Sequence, residues 1–77
     1  MKELRIYRDF ESNEKSIRNT LEKAETDTWI EISNILSYRK LSNGRWKRVR
    51  TDTGASMGTA TASNYDLANT IWKLKRR

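Results

Sequence analysis

Apolar residues recur along this chain first at every second position, then at helical spacing, then at every second position again, and last at helical spacing once more. From Lys2 to Asp9, Leu4 and Ile6 point one way while Glu3, Arg5 and Tyr7 point the other, and Phe10 continues the apolar parity. That alternation predicts a half-buried strand, and its mixed charge suits a sheet edge. Ile17, Leu21 and Ala24 then fall at i, i+4 and i+7, which predicts a helix over about residues 12–25. Ser12 or Asn13 serves as its N-cap, and Glu11–Lys15, Glu14–Arg18 and Arg18–Glu22 pair along its surface. Thr26-Asp27-Thr28 ends it.

The stretch from Trp29 to Asp52 reads as a β-hairpin. Asn43-Gly44 is a strong turn signal, because both residues tolerate the positive φ of a two-residue type I′ turn. Such a turn sets Ser42 opposite Arg45, Leu41 opposite Trp46, Arg39 opposite Arg48 and Tyr38 opposite Val49. Ile32, Leu36, Tyr38 and Val49 then form a core face. Ser37, Arg39, Leu41, Trp46, Arg48 and Arg50 form the other.

Thr51-Asp52-Thr53-Gly54 is a turn, and Ala55 to Thr61 is a short third strand in which Gly58 marks a bulge or a close backbone approach. Ser63 or Asn64 caps a second helix with Leu67, Ala68, Ile71, Trp72 and Leu74 on its apolar face. The expected fold is one α+β domain over residues 1–77. It is a small antiparallel sheet, a three-strand meander plus the N-terminal strand, with two helices packed on one face.

Composition narrows the chemistry. The 77 residues include no cysteine and no histidine, so disulfides, thiolate metal sites and the commonest general base are all missing. The expectation is a non-catalytic protein with no metal and no cofactor. No apolar run approaches the roughly 18 residues of a membrane span and no signal-peptide core follows Met1, which predicts a cytoplasmic protein.

Charge changes the picture most. The net charge is +6, and it is uneven: residues 1–34 carry six Lys/Arg against eight Asp/Glu, while residues 35–77 carry ten against two. A basic half without acidic residues from Ile32 through Thr51 points to a polyanion. The candidate contacts are Arg39, Lys40, Arg45, Trp46, Lys47, Arg48 and Arg50 on the hairpin, with Lys73, Lys75 and Arg76 at the end of the last helix. Arginine supplies forks for phosphate, and an indole supplies a stacking surface. Three plainer readings compete: a solvated basic surface, Trp46 as a minor core residue lidded by arginines, and the last-turn cations as complements of the helix dipole.

The order helix, three-strand meander, helix resembles the double-stranded-RNA-binding domain over about residues 12–76. Trp46, Met57-Gly58 and Ala68 carry that resemblance. It implies RNA binding, although the positions of that family's lysine cluster read Asn64, Tyr65 and Asp66 here. Gly44-Arg45-Trp46, Val49-Arg50 and Met57-Gly58-Thr59 followed by a helix also look like the DNA-binding domains of phage integrase arms and plant ethylene-response factors. That resemblance implies a sheet laid in the major groove. Together these readings predict a nucleic-acid-binding protein, RNA favoured over DNA, of the kind found among phage and mobile-element accessory factors. The runner-up is an inhibitor or adaptor that docks on a host protein, anti-defence or antitoxin-like. A third reading is a homo-oligomer joined through the Ala55–Thr61 strand.

Overall fold

The computed structural model describes residues 4–76. It is an α+β fold in which a five-stranded mixed sheet carries two helices on one face. Strands β1 (Leu4–Ile6), β2 (Trp29–Glu31), β3 (Leu36–Lys40), β4 (Trp46–Arg50) and β5 (Ser56–Ala62) lie side by side in chain order. β1 is followed by a 3-10 turn at Tyr7–Asp9 and by α1 (Glu14–Lys23); α2 (Asn64–Lys75) ends the fold.

Both helices form where the sequence supplies caps. The Asn13 side chain accepts from the Ser16 N–H at 3.0 Å, and the Ser63 hydroxyl accepts from the Asp66 N–H at 3.1 Å. Ile17 and Leu21 of α1 meet Leu67, Ala68 and Ile71 of α2 in the core. Phe10, Ile30, Tyr38 and Trp46 complete it, with Ala24, Ile32, Leu36 and Trp72 packed at its margin.

Four features depart from the sequence reading. The sheet is mixed, because β1 pairs with β2 in parallel, Leu4 beside Trp29 and Ile6 beside Glu31. A parallel neighbour needs a long crossover, and α1 provides it. The apolar parity of β1 faces away from the helices, leaving Leu4 69% and Ile6 39% exposed. The expected first hairpin arm is two strands. Ser33 breaks it, its hydroxyl accepting from the N–H groups of Ile35 and Leu36 at 3.2 and 3.0 Å, so four strands separate the helices and not three.

The fourth departure is the register of the β3–β4 hairpin. Lys40 pairs with Trp46, Arg39 with Lys47, Tyr38 with Arg48, Ser37 with Val49 and Leu36 with Arg50. The loop holds three residues, Ser42-Asn43-Gly44. Gly44 N–H closes a turn on the Leu41 carbonyl at 3.0 Å, and Leu41 N–H donates to the Arg45 carbonyl at 2.8 Å. Gly44 sits at φ 86°, the left-handed position that ends a three-residue loop with a G1 bulge. The Asn43 side chain accepts from the Arg45 N–H at 2.9 Å.

Burial decides between the two turns. The observed register sends Trp46 to the helix side, where it is fully buried and its Nε1 donates to Asn64 Oδ1 at 2.7 Å. Burying an indole of roughly 200 Å² is worth about 5 kcal/mol. No difference between two good hairpin loops approaches that. Val49 moves the opposite way and is buried on the helix-free face.

Candidate nucleic-acid interface

The register redistributes the basic residues. Strand pairing lays one row of side chains across all five strands on the helix-free face: Leu4, Trp29, Arg39, Lys47 and Thr61. Neighbours in such a row stand about 4.8 Å apart. The next row is Ile6, Glu31, Ser37, Val49 and Ser56. Arg45 belongs to the same face and donates from Nε and Nη2 to the Thr61 hydroxyl and carbonyl at 2.6 and 3.0 Å.

Trp29 organises this face. Its six-membered ring reaches Gly54 in the β4–β5 loop, where a Cβ on the glycine would fall 3.0 Å from Cη2. The contact joins β2 to the β4–β5 loop on the face that also carries Ser37 and Val49. Those residues are 0% and 2% exposed although no helix covers them. The loop is drawn over that end by Thr51, whose hydroxyl lies 2.7 Å from the Ser37 hydroxyl and donates to the Ser33 carbonyl at 2.8 Å. Gly54 also needs its left-handed φ of 76°. Gly54→Ala should therefore lower stability by about 1–3 kcal/mol in urea unfolding, through both φ strain and displacement of the ring. Gly44→Ala meets no atom within 4 Å and should cost less.

Arg39 is held beside Trp29 by Asp27, with Nε 2.9 Å from Oδ1. Asp27 adopts φ 72°, a left-handed conformation that aspartate tolerates better than most residues. Its N–H is fixed on the Lys40 carbonyl at 2.8 Å. Arg39 directly opposite Lys47 is a like-charge pair, and the Asp27 carboxylate offsets it.

The other expected contacts lie elsewhere. Trp46 is core, so the stacking role assigned to it from the two-residue turn is corrected. Lys40 is buried too: its ammonium donates to the Leu21 and Glu22 carbonyls at 2.6 and 3.3 Å and stands 5.4 Å from the Trp46 ring centre. It closes the carboxyl end of α1. Burial holds its pKa below the ordinary 10.5, opposed by the nearby Glu22 carboxylate.

Arg48 and Arg50 carry the parity of Tyr38 and Leu36, the helix side, so they do not share a face with Arg39. Arg48 borders a cleft of about 210 Å³ between β5 and α2, with Tyr38, Asp66 and Thr70. Arg50 forks onto Asp52 at 3.1 and 3.0 Å; these hydrogen bonds raise the arginine pKa and lower that of the carboxyl. At the end of α2, Lys75 donates to the Arg8 carbonyl at 2.7 Å, Arg76 stacks 4.5 Å from the Trp72 ring centre, and Lys73 is exposed. The structure thus brings Arg39, Arg45 and Lys47 together, and separates them from Arg48, Arg50, Lys73, Lys75 and Arg76.

Trp29 is the residue that the sequence reading passed over. Its parity with Arg39 marks it for this face, whereas the arginines that flank Trp46 in sequence point to the other indole. Among the described residues no cluster of acidic side chains could hold a metal ion. Among them, too, no helix is long and apolar enough to cross a membrane. Comparisons with known protein families, with curated proteins and with solved structures found no match to this chain.

Proposed function

We propose that the chain is a non-catalytic nucleic-acid-binding protein, RNA favoured over DNA, whose contact surface is the helix-free face of the sheet. The observation that supports this reading best is the single row Trp29, Arg39, Lys47, flanked by Arg45, on a face that no helix covers. Cations offer phosphate contacts there, and an aromatic beside them suits unpaired bases, which RNA displays in loops and bulges. The uneven charge of the chain supports the same reading.

A triple variant Arg39→Gln, Arg45→Gln, Lys47→Gln tests it. Binding of a labelled RNA, followed by anisotropy across a salt series, should weaken at least tenfold. The log–log salt slope should become shallower by about 0.7–0.9 for each phosphate that the variant no longer neutralises. Arg48→Gln with Arg50→Gln, on the helix side, should change both quantities less. Unchanged affinity in the triple variant sinks the reading.

The runner-up, a protein-docking adaptor, draws support from one observation: Leu4 and Ile6 are exposed on the same face as Trp29. Apolar side chains beside an aromatic suit a protein partner. A pulldown with and without nuclease separates the two readings, since a stoichiometric partner that survives nuclease favours the adaptor.

A further inference from the structure

The arrangement of the helix-free face bears on which nucleic acid it takes. We infer that its ligand is single-stranded RNA, with one base stacked against Trp29 and the adjoining phosphates on Arg39 and Lys47, so that the strand runs across the sheet rather than along it. This rests on the nucleic-acid reading given above.

The direction follows from the pairing. Trp29, Arg39 and Lys47 are direct cross-strand neighbours, so the line joining them is perpendicular to the strands. It spans about 10 Å, two inter-strand steps. Apolar and cationic groups are graded along it: Leu4, exposed, then half-buried Trp29, then Arg39 and Lys47, then Arg45 bonded to Thr61. A base and its phosphates are graded in the same way. Leu4 extends the apolar floor beneath a neighbouring base. Arg39 commits Nε to Asp27, and its terminal nitrogens make no other bond among the described residues, so they are presented to a phosphate.

Duplex fits this surface poorly. Arg39 and Lys47 form one short line across β3 and β4, with Arg45 beside it, which suits a single run of phosphates better than the two rims of a duplex. The other candidate contacts, Arg48, Arg50, Lys73, Lys75 and Arg76, carry helix-side parity or lie on α2 and its end, so they cannot grip a second rim from this face. A paired base also keeps both of its faces inside the stack, and the indole would have nothing to stack on.

The test compares fluorescein-labelled U12, A12 and the duplex annealed from them, at low and moderate salt. Each single strand should bind the unmodified protein at least about tenfold more tightly than the duplex. Trp29→Leu, which keeps an apolar side chain on this face but removes the stacking surface, should weaken single-strand binding at least about fivefold and leave duplex binding unchanged. Trp29→Phe should recover most of the loss, and circular dichroism checks that both variants are folded. Tight binding of the duplex, equal to that of the single strands, overturns the single-strand inference while the nucleic-acid reading stands. Absence of binding to all three probes at low salt overturns both. Full single-strand affinity in Trp29→Leu overturns the placement of the base.

Discussion

Replacing Trp46 with alanine should lower folding stability by about 3–5 kcal/mol, measured as a shift in the urea midpoint. A chain of 77 residues has only about 4–12 kcal/mol in total, so the variant loses from about a quarter to all of that margin. The indole is fully buried between the hairpin and α2, and its Nε1 holds Asn64 at the start of that helix. Truncation removes the packing and leaves Asn64 without its donor. Trp46→Phe retains most of the volume and should cost about 1–2 kcal/mol. Any loss of nucleic-acid binding in Trp46→Ala should follow unfolding, with native-like binding in Trp46→Phe. A stacking tryptophan would behave otherwise, losing affinity in both while remaining folded.

Lys40→Ala should be the second most damaging change, at about 2–3 kcal/mol. It removes a buried stem and leaves the Leu21 and Glu22 carbonyls of α1 without their shared donor. Lys40→Met keeps the stem, removes the cost of burying an ammonium, and should fall within about 1 kcal/mol of the parent. The pH dependence gives a separate signature. Because burial lowers the folded-state pKa below 10.5, the unfolded chain binds more protons than the native one in the alkaline range just below that value. Stability contributed by this group therefore rises with pH through that range, and the charged form carries its full penalty at lower pH. The rise should be present in the parent and absent from Lys40→Met, whose difference from the parent isolates it from the other titrating groups.

How much of this was legible in the chain depends on whether local signals sufficed. Ile17 and Leu21, and Leu67 and Ile71, reveal their helices and their core faces through spacing alone, and Asn13 and Ser63 cap where such residues are expected to cap. Tyr38 faces the core as its parity indicates, and Ile30 joins it there although Ser33 turns the chain between them, because the two pair across β2 and β3. The Asn43-Gly44 pair is compatible with either a two-residue or a three-residue loop, and each places the following strand on opposite faces. Only the competition of Trp46 and Val49 for the larger core resolves it, and that is a tertiary event. The parallel partner of β1 was equally hidden, because Leu4 and Ile6 alternate whichever face they take. The candidate site inherited both uncertainties: its cations were recognisable, but which of them stand together was not.

The parallel pairing at the sheet edge also orders assembly. β2 to β5 join neighbours through short connections, so the meander can form from contacts close in sequence. β1 meets β2 only after the chain has passed through α1, from Leu4 to Trp29. Closing that longer loop comes at a greater entropic cost before any contact offsets it. The first strand is thus set to dock late and to detach early, and amide hydrogen exchange should be faster in β1 than in β3 or β4. The end of the row that begins at Leu4 is accordingly the adaptable end, and the cationic end is the fixed one.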